Sequence, residues 1–216
     1  SPARVEFLRT MYNLPEKKTR LLVMGTDDET AVLSQSAETK KATKYKYRIS
    51  EQDFLIVTGG KLDASKKQVL NLIRVVSDHM LKDMVKLIVF GSISDDLMEE
   101  IRDTKSDKVQ YIGWIDEKTA YELFAITQLA VFPSTHSVYW EQVAGMGVPM
   151  IVKYWKGFEH IDLGGNIRYL YESSEAEIRK VIMDAMENTN YAEMVKAARE
   201  KGMVKFSYMH IAKESI

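Results

Sequence analysis

The sequence predicts an α/β protein, a Rossmann-like parallel sheet with helices on both faces. Three observations carry that expectation. Apolar runs of strand length recur at residues 53–58, 85–90, 109–112, 128–132, 150–152 and 167–171, and helical periodicity fills the gaps between them. Several of these runs end in glycine, at Gly59-Gly60, Gly91 and Gly113, where the backbone can turn and approach a ligand closely. Residues 133–149 join the fourth run to the fifth through a polar turn and a short helix that stops at Gly147 and Pro149. Such a strand-loop-helix-strand unit places its loop at the carboxyl end of a parallel strand, where open α/β sheets bind ligands.

Composition narrows the function classes. The 216 residues are 45% hydrophobic, enough for a substantial core, and 30 Lys+Arg against 31 Asp+Glu leave a net charge of -1. No global field draws the chain to nucleic acid or to an anionic membrane, so an anion site has to be local. Cysteine is absent and the four histidines are scattered, which argues against disulfides and a metal centre. No apolar stretch of spanning length and no signal peptide is evident, so a cytoplasmic location is expected. The chain opens at Ser1-Pro2 directly before a helical pattern, and we expect a piece of something longer.

In chain order, residues 3–12 form an amphipathic helix that Asn13 and Pro15 terminate, and residues 1–18 read as a helix and linker ahead of a domain at 19–216. Residues 20–24 read as a short strand leading into the turn Gly25-Thr26-Asp27. From Ser34 to Arg48 the chain is polar and basic, with Lys40, Lys41, Lys44, Lys46 and Arg48 interleaved with Tyr45 and Tyr47. Basic residues with aromatics suit single-stranded nucleic acid; the neutral balance elsewhere favours a solvated surface connection and no nucleic-acid partner. After the first long strand, Ser65 is a suitable N-cap for a helix whose Val69, Ile73, Val76 and Met80 face the core. Lys66 then lies in the first turn of that helix, where a cation opposes the helix dipole. An anionic ligand or plain solvation answers that conflict equally well. Ser94 and Asp116 are expected to cap the next two helices, and three helical segments, about 174–187, 190–202 and 205–215, close the chain.

Gly60, Lys61 and Lys66 on one strand-end loop, with Ser134, Thr135, His136 and Ser137 on another, can cradle a diphosphate through cations, amides and hydroxyls. Neither loop matches the P-loop or the dinucleotide fingerprint. Glu141 and Gln142, on the short helix, suit sugar hydroxyls, although a helical Glu is more often solvent-facing. His136 is a candidate acid or oxyanion donor.

The order of these motifs resembles the C-terminal, donor-binding domain of GT-B glycosyltransferases of family 4. The resemblance rests on Gly25-Thr26-Asp27, Gly60-Lys61-Leu62 with Lys66, Gly91, Ile112-Gly113-Trp114-Ile115, Pro133-Ser134, the stretch from Gln142 to Pro149, and Gly157, Glu159, Gly164 and Asn166. It implies one half of a GT-B fold that transfers a sugar, with retention, from a nucleotide-sugar such as a UDP- or GDP-sugar. The acceptor hydroxyl is that of a glycan, lipid or protein, in polysaccharide or glycoconjugate synthesis, and no metal or other cofactor is required. By the resemblance, Lys61 and Lys66 bind the donor diphosphate with Gly60 and Ser137, Lys61 standing where Arg is usual. Gly91, Ser92, Ile112, Gly113, Trp114 and Ile115 flank the base. The family's Glu-x7-Glu signature is broken: Gln142 aligns with its second, ribose-binding Glu, Glu141 falls one residue early, and His136 and Ser137 are nearest the first. We expect Glu141 at the ribose through a local helix shift, and His136 and Glu141 as the catalytic pair. An N-terminal domain outside this sequence would supply the acceptor site, leave the fragment alone inactive, and allow peripheral membrane association of the whole protein. A non-catalytic nucleotide-binding or interaction module of the same fold is the alternative; an epimerase or phosphorylase fits the motif order less well.

Overall fold

The computed structural model describes residues 1–104 and 106–215. Six strands form one parallel sheet in the order β3-β2-β1-β4-β5-β6: β1 Phe54–Gly59, β2 Val85–Phe90, β3 Val109–Tyr111, β4 Leu129–Phe132, β5 Met150–Lys153 and β6 Ile167–Leu170. The strands are apolar at consecutive positions because both faces are covered. Leu55, Val57, Ile88 and Phe90 point into one core, with α6 (Glu117–Ala125) and α7 (Tyr139–Gly145). Ile56, Leu87, Val89 and Val131 point into the other, with α4 (Gln68–Ser77), α5 (Asp95–Asp103) and α8 (Glu175–Met186). The direction of strand succession reverses between β1 and β4, so the crevice at their carboxyl ends is the switch point of the sheet.

The N-terminal helix α1 spans Pro2–Met11, and Asn13, at φ 49°, marks its exit. Residues 20–24 are not a strand; their alternation Leu22-out, Val23-in suits a pleat, but no strand of the sheet pairs with them. The basic stretch is not a loose connection. It holds α2 (Asp28–Ser34), capped by Asp27, and α3 (Ala37–Tyr47), capped by Ser36. Tyr47 is buried in the core, Lys44 is bonded to Glu51 at 2.6 Å, and Tyr45 is exposed.

Ser65 does not cap α4. Asp63 does the local capping instead, accepting from the Ser65 backbone N–H and hydroxyl, and holds residues 64–66 in a 3₁₀ turn ahead of the helix. Val69, Ile73 and Val76 are buried as the periodicity requires, whereas Met80 lies past the end of α4 and is exposed. Ser94 stands at the N-cap of α5 without bonding a helix N–H, while Asp116 accepts from the Thr119 N–H. Asp116→Ala should therefore lower the melting temperature more than Ser94→Ala, a contrast that paired thermal melts would resolve.

The last segments are α8, α9 (Asn188–Ala197), a π-helical turn at Ala198–Gly202, the short α10 (Met203–Lys205) and α11 (Tyr208–Glu214). They return to the start of the domain. The Thr26 N–H donates to the Phe206 carbonyl and the Tyr208 N–H to that of Thr26, so the Gly25-Thr26-Asp27 turn is where the two ends of the domain meet. Among the described residues, no helix is long and apolar enough to cross a membrane.

Candidate nucleotide-sugar site

Three strand-end loops meet at the carboxyl edge of β1, β2 and β3. The Gly60 N–H donates to the Phe90 carbonyl, and the Gly91 N–H to that of Gly113 at 2.7 Å. All three glycines have positive φ, at 116°, 106° and 76°, a conformation that side chains with a Cβ rarely adopt. The Gly91 site is the tightest, since a Cβ there would lie 2.0 Å from the Gly60 carbonyl oxygen. Gly113 is the open one, with nothing within 4 Å of the corresponding position. Leu62 and Ser92 tie the first two loops further, the Leu62 N–H donating to the Ser92 carbonyl at 2.8 Å, and the Tyr111 hydroxyl holds the Gly91 carbonyl. Ile112 is half-buried, Ile115 buried, and Trp114 presents its indole to solvent, 75% exposed.

The loop after β4 joins from the other side of the switch point. Ser137 is buried, and its Oγ lies 3.2 Å from where a Gly60 Cβ would stand. Ser134 donates to the Gln68 side chain, which ties this loop to the first turn of α4. The structure thus brings Gly60, Gly91, Gly113 and Ser137 to one edge, as the sequence reading required. Lys61 is extended into solvent, its Nζ 3.9 Å from Asp63. Lys66 is half-buried, and burial pulls its ammonium below the usual lysine range, with Asp63 opposing.

Helix α7 separates the two candidate ribose ligands. The Tyr139 ring packs edge-on against Phe90 and Phe124, which identifies the face of α7 turned toward β2. Gln142 follows at i+3 on that face, and its carbonyl accepts from the Thr26 hydroxyl. Glu141 turns the other way, toward the loop after β5. Its carboxylate is buried and bonded to His136 Nε2 at 3.1 Å and to His160 Nε2 at 2.9 Å. Burial alone would raise its pKa; the two imidazoles override that and hold it at about 2. In this structure the Glu141 carboxylate is engaged by His136 and His160 rather than by the Gly91 and Gly113 loops.

His160 is the participant that the sequence reading passed over. It lies in the 3₁₀ turn Glu159–Ile161, 19 residues from Glu141 in sequence, and a lone loop histidine gives no sign of its partner. Its other nitrogen, Nδ1, is buried without a partner among the described residues. The ring of His136 is held between Trp140 and Phe158 at 4.9 and 4.7 Å. Glu159 shapes the same loop by accepting from the Gly157 N–H at 2.7 Å. Asn166 is fully buried and bridges the Ile161 carbonyl and the Leu163 N–H. Gly157, Glu159 and Asn166 therefore fix the shape of the loop, and it is His160 that they present to Glu141.

Neither a family model nor a curated protein matches the chain. Solved structures do. WaaG, a glycosyltransferase involved in lipopolysaccharide biosynthesis, is 16% identical with a TM-score of 0.76 over 98% of this chain and 59% of its own. A glycosyltransferase from Rickettsia africae gives 16% and 0.78 over 97% and 59%. Alr3699/HepE of Anabaena, solved with UDP-glucose, gives 17% and 0.73 over 93% and 57%. The chain thus spans under two thirds of the length of each. Together with the six-stranded parallel sheet, these likenesses give the chain the fold of the Rossmann-like half of a GT-B glycosyltransferase.

Proposed function

We propose that this chain is the donor-binding part of a retaining glycosyltransferase of the family 4 type, one that moves a sugar from a nucleotide-sugar to an acceptor hydroxyl. The observation that carries the proposal is the meeting of the Gly60, Gly91 and Ser137 loops at the switch point of the sheet. There, backbone can approach a diphosphate, with Lys61 and Lys66 on the adjoining turn. The half-buried Lys66 ammonium lacks a carboxylate within ion-pair distance among the described residues, and a bound diphosphate would offset its burial. Such cations and amides are stationary before the glycosidic bond breaks, so they stabilise the leaving diphosphate without reorganising.

The open Gly113 turn and the neighbouring Ile112, Trp114 and Ile115 form the base side. We assign the ribose to the face of α7 that bears Gln142, and to Glu141 a different part, with His136, beside the sugar. An anionic carboxylate held between two imidazoles can steady positive charge developing at an anomeric carbon. The reading as a binding module without catalysis draws on the same cluster: a carboxylate already satisfied by His136 and His160 has less to offer a substrate.

Lys61→Ala and Lys66→Ala should each weaken UDP binding by about 1–3 kcal/mol, the usual worth of a hydrogen bond to a charged group, with the larger loss at Lys66. Isothermal titration of both variants measures this, and unchanged affinity in both would remove these lysines from the site. A donor panel assayed on the full-length protein separates the two readings. Glycosyl transfer supports the enzyme, and donor binding without transfer to any glycan, lipid or protein acceptor supports the module.

A further inference from the structure

We propose that a cleft at the amino edge of the sheet, opposite the nucleotide-sugar site, binds a phosphate group between Lys40 and Arg199. The cleft has a volume of about 340 Å³ and is bordered by Thr127, two residues ahead of β4, and by Pro149, immediately ahead of β5. Gln35, Lys40, Tyr191 and Arg199 complete its polar lining, and no carboxylate lines it among the described residues.

Two cations 159 positions apart in sequence are brought here by separate devices. Lys40 comes from the first turns of α3. Arg199 comes from the π-helical turn Ala198–Gly202, a form that adds a residue to the helix and recurs at functional sites. Gly202 in that turn lies so close to α7 that a Cβ would stand 2.4 Å from the Ala144 carbonyl. The Arg199 stem in turn crosses Gly147, 3.1 Å from the corresponding position there. The guanidinium is thereby set over the cleft.

Among the described residues neither Lys40 nor Arg199 has an ion-pair partner, whereas Lys44, one turn along α3, is bonded to Glu51. Burial, Arg199 and Lys44 all disfavour the Lys40 charge, in that order, and Arg199 also acts on the Tyr191 phenol. Lys40 is partly buried and Arg199 exposed, and two cations with no carboxylate beside them match the charge of a phosphomonoester, about −1.5 to −2 near neutrality. The Gln35 side-chain amide, with no intramolecular hydrogen bond among the described residues, is a further donor.

The test is an NMR titration of the 216-residue chain with inorganic phosphate at constant ionic strength, following the Gly147 and Tyr191 amides. Saturable shifts are expected, with affinity lost about tenfold or more in Lys40→Gln and Arg199→Gln, each of which removes a charge-assisted contact. Arg199→Lys should keep most of it. Removing one of two like charges should leave the melting temperature unchanged or raised, so lost binding is distinguishable from unfolding. Co-sedimentation with phosphatidic acid vesicles identifies the source. Sedimentation that needs Lys40 and Arg199 points to a lipid headgroup, and its absence alongside phosphate binding points to a soluble phosphomonoester. Shifts that do not saturate, or that persist in the Lys40→Gln/Arg199→Gln double variant, would overturn the proposal. Because the cleft lies on the far edge of the sheet, a negative result leaves UDP binding untouched.

Discussion

Gly91→Ala is expected to be among the most damaging single substitutions in the domain. The added methyl would meet the Gly60 carbonyl oxygen at 2.0 Å, and the backbone there has a φ of 106°, so neither the contact nor the conformation can be kept. Positive φ alone costs a residue with a Cβ about 1–2 kcal/mol, and the obstacle is backbone rather than a side chain that could rotate aside. The β1 and β2 loops must part, which strains the hydrogen bond from Gly60 N–H to the Phe90 carbonyl. We expect a loss of about 3 kcal/mol or more in denaturant unfolding, together with loss of nucleotide binding. Gly113→Ala, in the open turn, should cost only the conformational part, about 1 kcal/mol. Equal effects at the two glycines would show that the loops do not meet as described.

Removing the carboxylate of Glu141 should be nearly as costly, and its effect should depend on pH. With its pKa held at about 2 against an ordinary 4.5, the ionised group contributes about 3 kcal/mol of stability. The folded pKa is the depressed one, so this contribution is complete above about pH 4.5 and lost as pH falls toward 2. Glu141→Ala should therefore unfold more easily than the parent at pH 7, and the gap should narrow as pH falls through that window. A gap that stays constant between pH 6 and pH 3 would mean that the carboxylate is not held by His136 and His160. Glu141→Gln keeps the volume and removes the ionisation, and should flatten the dependence while costing less.

The central strands β1, β4 and β5 were legible in the sequence because each carries an apolar run, whereas β2, β3 and β6 admit Lys86, Gln110 and Arg168. Leu55, Ile56 and Val57 cannot be placed anywhere but in a strand covered on both faces. Residues 20–24 show where that logic ends: an apolar run specifies burial, and here one side is open, with Leu22 and Met24 exposed. Helix α3 was hidden because its face is mostly charged. It is held by the Ser36 cap and by the burial of Thr43 and Tyr47, two contacts too sparse to show as periodicity. The site divided in the same way. Gly60, Gly91, Gly113 and Ser137 converge because strand ends in a parallel sheet must share an edge, which the order of motifs already implied. Which way Glu141 points was not legible, since a one-residue difference on α7 turns a side chain by about a quarter turn, and its partner His160 is reached only through the fold.

Titration of the 216-residue chain with UDP, followed by amide chemical shifts, tests the account most directly. It predicts saturable shifts concentrated at Gly60, Gly91, Gly113 and Ser137. A folded chain in which UDP and GDP leave those four amides where they were would contradict the assignment of this edge as a nucleotide-sugar site.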